Sequence, residues 1–275
     1  MIVGIIGTGT IGTILIDAFI ASDALQADQL IIQNRNSQKA RAIAHRHHRL
    51  KVVENTIEVV QKADLVIVCV KPKELLPVFQ EIKYVITPKQ CVVTVTSPLS
   101  ESQLDALVTC STARIIPSIT NRALSGPTLF TFGDQCTSDW KKKLIYLFSK
   151  ISIPIEIDKS HTRIAADITS CGPAFISFLL QKFIQAAVEV GGMSEIQTMQ
   201  LTEEMIIGFA QLIKKNHYNL VTLQEKVCVQ GGITGEGIRV LENHVGDMFE
   251  EMFHATNAKF KEDVEYLQMQ MGIDY

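Results

Sequence analysis

The segment Gly7-Thr8-Gly9-Thr10-Ile11-Gly12 directly follows a short apolar run, Ile2–Ile6. It opens a helical pattern whose apolar positions are Ile11, Ile14, Leu15, Ala18 and Phe19. Gly7 permits a tight turn, Gly9 lets the backbone approach a pyrophosphate, and Gly12 lets the helix pack close to the strand. Because free amides at the helix start then face the phosphates, the segment predicts a dinucleotide-binding turn. The alternative is a structural glycine-rich turn without a ligand.

Short runs rich in Val and Ile alternate with helical patterns over the first half of the chain. After the first run come Leu30–Gln33, Leu65–Val70, Cys91–Val95, Ala113–Ile116, Thr128–Phe132 and Ile155–Ile157. Strands that alternate with helices indicate βαβ units and a parallel sheet. The predicted fold class is therefore α/β, with a Rossmann-type dinucleotide-binding domain over residues 1–158.

The pattern becomes helical near Asp158 and stays so to the end of the chain. It predicts helices over Ile164–Val190, Glu195–Lys215, Gly235–Glu250 and Ala255–Met271. Residues 159–275 are accordingly predicted to form an all-helical second domain. Within the first of these helices, Pro173 lacks an amide donor and its ring clashes with the carbonyl of Thr169, so we expect a kink there or a break between two helices.

The composition is that of an ordinary globular protein, with 275 residues, 20% charged residues and a net charge of -3. Such a charge carries no field suited to DNA or anionic membranes, so neither is an expected partner. The apolar stretch Phe175–Val190 contains Gln181, Lys182, Gln185 and Glu189, which argues against a membrane span. No signal-peptide pattern is seen at the first residues, and we expect a cytoplasmic protein.

The end of the second run suggests which dinucleotide binds. An NAD enzyme usually has Asp or Glu here to hold the ribose 2′-hydroxyl, whereas this chain has Asn34 and Arg35. A guanidinium suits a 2′-phosphate, so NADPH is predicted over NADH. A solvated surface arginine is the alternative for Arg35. Val70-Lys71-Pro72 ends another strand and should lie near the cofactor, although Lys71 is equally well explained as a loop lysine.

No metal site is expected from the sequence. His45, His47 and His48 lie in a basic cluster without a nearby carboxylate or cysteine, which favours a solvated helix face. The six cysteines are scattered and form no CxxC pair, which predicts free thiols.

Several motifs together resemble those of the pyrroline-5-carboxylate reductase family over nearly the whole chain. They are the opening glycine segment, Val70-Lys71-Pro72, Arg114-Ile115-Ile116-Pro117, Cys171-Gly172-Pro173-Ala174-Phe175 and Ala186-Ala187-Val188-Glu189-Val190-Gly191-Gly192-Met193, with Gly231-Gly232-Ile233-Thr234 and Gly237-Ile238-Arg239-Val240-Leu241-Glu242 the most specific. The resemblance implies reduction of 1-pyrroline-5-carboxylate to L-proline, a step of proline biosynthesis, with NAD(P)H. It also implies that the second domain dimerises and that each active site is shared between two chains, in a homodimer or a higher assembly of dimers.

The resemblance implies roles for particular residues as well. Thr234, predicted as the N-cap of a helix, would be the catalytic residue, its hydroxyl meeting the ring nitrogen of the imine. Gly231, Gly232, Ile233 and Thr234 would bind the substrate, because exposed amides at a helix start attract a carboxylate. Asn55 falls where the family places an asparagine against the adenosine ribose. On spacing alone, an N-cap without a catalytic role is the favoured interpretation of Thr234.

Three segments depart from the family pattern. Val229-Gln230 replaces Ser-Pro before the double glycine, Pro117-Ser118 replaces Pro-Asn, and Thr96-Ser97-Pro98 replaces a small Ala/Gly turn. The chain therefore also resembles a divergent paralogue, such as the one encoded with late competence genes in some bacteria. Such a paralogue implies low activity, another imine substrate, or NADP binding in a regulatory role without turnover.

A different NADP oxidoreductase remains a further alternative. A β-hydroxyacid reductase needs a lysine in the second domain to polarise a carbonyl oxygen. Lys182 is the lysine available in the first long helix there, and it does not lie in a matching motif.

Overall fold

The computed structural model describes residues 1–272, which group by contact into two compact units. Unit 1 consists of Met1–Pro173 together with residues 255–272, and unit 2 is Ala174–His254. The domain division after residue 158 stays a prediction. It marks where the sequence pattern changes from strands to helices, whereas the two units are defined by contacts between residues.

Unit 1 contains an eight-stranded sheet in the order β3-β2-β1-β4-β5-β6-β7-β8. All neighbouring strands are parallel except β6 and β7. The strands are β1 Val3–Ile6, β2 Leu30–Gln33, β3 Lys51–Val52, β4 Leu65–Val68, β5 Cys91–Thr94, β6 Ser111–Ile116, β7 Pro127–Phe132 and β8 Ile153–Glu156. The predicted fold class is confirmed, since the order reverses at β1 and β4 as in doubly wound dinucleotide-binding sheets.

Helices cover both faces of this sheet. They are α1 Thr10–Ala21, α2 Ser37–Arg46, α3 Thr56–Lys62, α4 Pro72–Ile82, α5 Glu101–Leu107, α6 Ser138–Ser149 and α7 Thr162–Ala166. One core packs Leu15, Phe19 and Phe148 against the sheet, and the other packs Val59, Phe79 and Leu104. Because the strands are buried on both faces, they read in the sequence as continuous apolar runs.

Residues of the last helix contribute to unit 1. Leu267, only 1% exposed, belongs to the same core as Val59 and Phe79, and Lys73 Nζ lies 5.3 Å from the ring centre of Tyr266.

Unit 2 is helical. The second half of the chain contains α8 Gly172–Gly191, α9 Glu195–Lys214, α10 Leu220–Val227, α11 Ile233–Val245 and α12 Met248–Met271. Unit 2 is built from the parts of these helices that lie within Ala174–His254. Many of its large apolar side chains are exposed, among them Phe178, Phe183, Ile196, Leu201 and Ile233. By length and composition alone, the helical stretch Lys159–Gly191 could span a membrane, and the window that meets this test is not buried within the chain.

The structure corrects several sequence predictions. The short edge strand β3 and the helix α10 were not predicted. A single helix over Gly235–Glu250 is wrong, because α11 ends at Val245 and Gly246 adopts a φ of +47° before α12 begins. The clash expected at Pro173 is relieved by a π-turn over Asp167–Cys171, in which the amide of Gly172 donates to the carbonyl of Asp167.

A buried ion pair ties the sheet to the loop after β5. Arg114 on β6 lies 2.7 Å from a carboxylate oxygen of Glu101, and the two side chains are 5% and 1% exposed. The guanidinium also donates to the carbonyls of Ser97 and Leu99, at 2.9 and 3.3 Å, and to the hydroxyl of Thr162. Arg114 thereby fixes the backbone of the Ser97–Leu99 loop.

Replacing Arg114 with Met should lower the free energy of unfolding by about 3–5 kcal/mol, because Glu101 would be left as a buried charge without its partner. Denaturant unfolding measures the change. Lys143→Met, which breaks an exposed pair with Asp139, serves as the control and should cost less than about 1 kcal/mol. Equal losses in both variants would contradict a central role for the Arg114–Glu101 pair.

Candidate functional site

The turn between β1 and α1 requires glycine at two positions. Gly7 has a φ of +95°, and a Cβ there would lie 2.7 Å from the carbonyl oxygen of Cys69. A Cβ on Gly12 would lie 2.1 Å from the carbonyl oxygen of Gly7. In contrast, a Cβ on Gly9 meets no atom within 4 Å. The first two glycines are therefore needed for packing, whereas Gly9 faces open space that a ligand can approach.

The start of α1 presents hydrogen-bond donors to that space. Its N-cap is Gly9, which has no side chain to cap the first amides. The backbone of Thr8 donates to the amide oxygen of Asn34 at 3.1 Å. The hydroxyl of Thr8 is buried and has no partner among the described residues. An unpartnered buried hydroxyl beside uncapped amides fits an anionic group such as a diphosphate.

The end of β2 places Arg35 on the surface, with its side chain 90% exposed. Its guanidinium lies 3.0 Å from a carboxylate oxygen of Glu74 at the start of α4. The preceding residue, Asn34, also donates to the carbonyl of Asn36, which in turn caps α2. A cation next to the β1–α1 turn can bind a second phosphate group of a ligand. The carboxylate of Glu74 competes with such a phosphate for the guanidinium.

The other residues predicted to bind the cofactor lie at strand and helix ends of unit 1. Lys71 is the exposed N-cap of α4 and Pro72 is its first residue. The carbonyl of Val70 accepts a hydrogen bond from the hydroxyl of Thr96 at 3.1 Å. Asn55 caps α3 by accepting from the amide of Glu58 at 2.8 Å, so its carboxamide oxygen is already engaged.

A cleft of about 280 Å³ lies in unit 1. It is lined by Ile11, Pro72, Val95, Thr96, Ser97, Pro98, Ile116, Pro117, Arg163, Ala166, Ser170, Cys171 and Asp263. Two of the segments that depart from the resemblance, Thr96-Ser97-Pro98 and Pro117-Ser118, thus contribute to this wall. Ser118 itself is buried and caps the short turn Ile119–Ala123.

The cleft contains little acid–base chemistry. Its described lining has no His, Lys or Glu, and its ionisable groups are Arg163, Cys171 and Asp263. Burial raises the pKa of the Cys171 thiol, and the neighbouring Arg163 only partly opposes this. A neutral thiol is a weak proton donor and a poor nucleophile, so the cleft is suited to holding and orienting a ligand.

Sequence reasoning missed two polar clusters at this cleft. Arg163 forms a bidentate pair with Asp167, and the hydroxyl of Ser170 donates to the carbonyl of Pro117 at 2.9 Å. The available signal was the spacing of Arg163 and Asp167, four residues apart at the start of the helical pattern, although the predicted helix began one residue after Arg163.

The predicted substrate motif lies in unit 2. The N-cap of α11 is Gly232, so the prediction of Thr234 as the N-cap is wrong, and Thr234 is the second helical residue. The amide of Gly232 donates to the carbonyl of Val229 at 3.0 Å, while Gly231 has a φ of +73°. Thr234 is exposed and its hydroxyl makes no hydrogen bond within the described part of the chain. The amides of Ile233 and Thr234 are therefore the donors left for a ligand.

The described residues contain no cluster of three or more His, Cys, Asp or Glu side chains that could hold a metal ion. His47 contacts Asp17, with 2.6 Å between Nε2 and a carboxylate oxygen, while Arg46 bonds the same carboxylate. The basic cluster is thus paired with an acidic side chain of α1.

Comparison with known proteins identifies the family. A family model described as pyrroline-5-carboxylate reductase dimerisation matches residues 159–263, and one described as NADP oxidoreductase coenzyme F420-dependent matches residues 2–98. ComE operon protein 4 of Bacillus subtilis is 41% identical over 99% of this chain and 100% of its own length. The chain belongs to the pyrroline-5-carboxylate reductase family.

Other members of the family are more distant. Pyrroline-5-carboxylate reductase 3 of Bacillus subtilis is 24% identical over 98% of each chain. A crystal structure of pyrroline carboxylate reductase from Plasmodium falciparum with NADP bound has a TM-score of 0.82 at 20% identity, covering 96% of this chain and 97% of that one. At this identity the structural likeness shows the fold, that of a pyridine-nucleotide oxidoreductase.

Two glycine substitutions should separate folding from ligand binding. Gly12→Ala should lower the free energy of unfolding by about 1–3 kcal/mol, because its Cβ would press on the Gly7 carbonyl. Gly9→Ala should leave the melting temperature nearly unchanged and weaken NADPH binding, since the methyl group occupies the space of the phosphates. Thermal unfolding and fluorescence titration with NADPH measure the two effects. A Gly9→Ala variant that binds NADPH normally would contradict the assignment of this loop.

Proposed function

We propose that this member of the family reduces 1-pyrroline-5-carboxylate to L-proline with NADPH as the preferred reductant. The observation that carries the proposal is the β1–α1 turn, where uncapped amides lie beside the buried, unpartnered hydroxyl of Thr8. In a chain of this family, such a turn is suited to the diphosphate of a dinucleotide.

The cofactor would be held by residues at the carboxyl ends of the strands. Residues 7–12 would bind the diphosphate. Asn34, Arg35 and Asn55 would bind the adenosine end, and Val70, Lys71 and Pro72 would form the wall beside them. When bound, NADPH supplies the hydride that is transferred to the imine carbon. The chain contributes the orientation of the two reactants.

The start of α11 would bind the substrate. The amides of Ile233 and Thr234 are uncapped, and the flexible Gly231-Gly232 corner leaves them accessible to a carboxylate. The unbonded hydroxyl of Thr234 would donate to, or accept from, the ring nitrogen. No strong acid of the protein is required, because water can protonate the imine nitrogen.

A second copy of the chain would cover the exposed apolar side chains of unit 2. The matched dimerisation model over residues 159–263 supports this arrangement, as does the exposure of side chains such as Phe178, Phe183 and Leu201. Obligate interfaces resemble a core cut in half, and an apolar helix covered by a partner chain has no need of lipid. We therefore propose a cytoplasmic homodimer, or a higher assembly of dimers.

A regulatory, NADP-binding paralogue with little or no turnover is the second candidate. Its support is the altered Val229-Gln230 before the double glycine. The greater similarity to ComE operon protein 4 than to pyrroline-5-carboxylate reductase 3, 41% against 24%, is consistent with a function distinct from proline synthesis, in competence for example.

Oxidation of NADPH in the presence of 1-pyrroline-5-carboxylate tests the first proposal. The variant Thr234→Ala should lower kcat/KM about 10- to 100-fold, the loss of one hydrogen bond to a polar substrate atom, while NADPH affinity stays unchanged. The matched control Thr234→Ser keeps the hydroxyl and should retain most activity. NADPH binding without turnover in the unmodified protein would favour the regulatory paralogue.

The exposed pair of Arg35 and Glu74 allows a test of cofactor preference. Arg35→Gln should weaken NADPH binding several-fold and leave NADH binding nearly unchanged, because only NADPH carries the 2′-phosphate. Glu74→Gln removes the competing carboxylate and should tighten NADPH binding. Calorimetric titration with both dinucleotides measures these changes, and an Arg35→Gln variant that loses both equally would contradict the proposed NADPH preference.

A further inference from the structure

An arginine is held rigidly at the wall of the cleft. Arg163 in α7 donates through Nε and Nη2 to the two carboxylate oxygens of Asp167, at 3.2 and 2.6 Å. Asp167 is 1% exposed, and its Oδ2 also accepts from the hydroxyl of Thr256 at 2.8 Å. The guanidinium further lies 5.5 Å from the ring centre of Phe260. Because two of its nitrogens are bonded to Asp167 and its plane lies near Phe260, the guanidinium has little freedom to reorient.

One nitrogen of this guanidinium is left for a ligand. Nε and Nη2 donate to Asp167, and Nη2 also lies 3.5 Å from the sulfur of Cys171. No described residue accepts a hydrogen bond from Nη1. Arg163 is 19% exposed and lines the cleft. Two N–H donors of a fixed cation are thus available at a cavity wall, which is an arrangement suited to a carboxylate.

The other ionisable groups that line the cleft are partnered or neutral. Asp263 shares Lys259 with Glu262, at 3.1 and 2.9 Å. Cys171 stays protonated at neutral pH because burial raises its pKa, so it adds no negative charge. Asp167 is the carboxylate that competes directly with a ligand for Arg163.

We propose that Arg163 binds an anionic group of the substrate, so that the cleft selects imines that carry a carboxylate over neutral imines. The inference rests on the proposed imine reduction and assigns a part in substrate specificity to a residue of unit 1. A purely structural Arg163 would instead act only by joining α7 to Asp167, Thr256 and Phe260.

The test compares two substrates that differ only in the carboxylate, 1-pyrroline-5-carboxylate and 1-pyrroline. Because Arg163→Met alone would leave Asp167 buried without a partner, the main variant is Arg163→Gln with Asp167→Asn, which removes both charges and keeps groups that can hydrogen-bond. Asp167→Asn alone is the matched control, since it keeps the guanidinium and removes its competing carboxylate. NADPH affinity and melting temperature are measured for each variant.

The double variant should lose about 10- to 100-fold in kcat/KM for the carboxylate substrate, the loss expected for a charge-assisted hydrogen bond, and change less than about threefold for 1-pyrroline. Asp167→Asn should keep or increase the preference for the carboxylate substrate. Equal losses on both imines, or no loss on either, would overturn the inference.

If the proposed function is wrong, the unmodified protein reduces neither imine. The inference is then decided by calorimetric titration of the NADP-loaded protein with L-proline, cyclopentanecarboxylate and pyrrolidine. Binding of the two carboxylates that is lost in the double variant and kept in Asp167→Asn would support a carboxylate site at Arg163. Carboxylate binding that is absent, or unaffected by the double variant, would overturn it.

Discussion

The contact between β1, β4 and α1 depends on two carbonyl oxygens that lie where side chains would otherwise be. The carbonyl of Cys69 approaches Gly7, and the carbonyl of Gly7 approaches Gly12, at distances that exclude a Cβ. This close packing brings the carboxyl ends of β1 and β4 together at the point where the sheet order reverses. It also leaves the first amides of α1 without internal partners, so that the same constraint that fixes the fold creates the candidate binding surface.

Much of the sheet could be predicted because its strands are buried on both faces. The run Leu30–Gln33 has the same boundaries in the structure. The other predicted runs overlap their strands but differ at one or both ends, as Leu65–Val70 does from β4 Leu65–Val68. Strand β3 was missed because it has two residues, Lys51 and Val52, and pairs only at the sheet edge. Helix α10 was missed for a different reason, since it has eight residues and three of them, Val221, Thr222 and Val227, are β-branched, which weakens the helical signal.

The candidate site was predictable where backbone conformation demands a residue type and unpredictable where distant side chains meet. Gly7 and Gly12 could be assigned from the sequence because a side chain at either position would clash with a backbone carbonyl. Asp167 and Thr256 are 89 residues apart in the sequence, and no local pattern connects them. Thr234 is of a residue type that is common at N-caps. Gly232 is nevertheless the N-cap of α11, because the Val229–Gly232 turn starts the helix earlier. Local signals therefore reveal turns that require glycine, whereas the cap of α11 and polar clusters between elements require the fold.

The π-turn at Asp167–Cys171 has a consequence for how this region can change in evolution. A π-turn accommodates one residue more than an α-helical turn, so the extra residue is absorbed within Asp167–Cys171 and the side chains of α8 keep the direction they would have after a regular helix. Losing that one residue would restore regular winding without rotating α8, whereas an insertion or deletion within α8 itself would turn every following side chain by about 100°. We therefore expect this segment to tolerate the loss of one residue better than the helix that follows it.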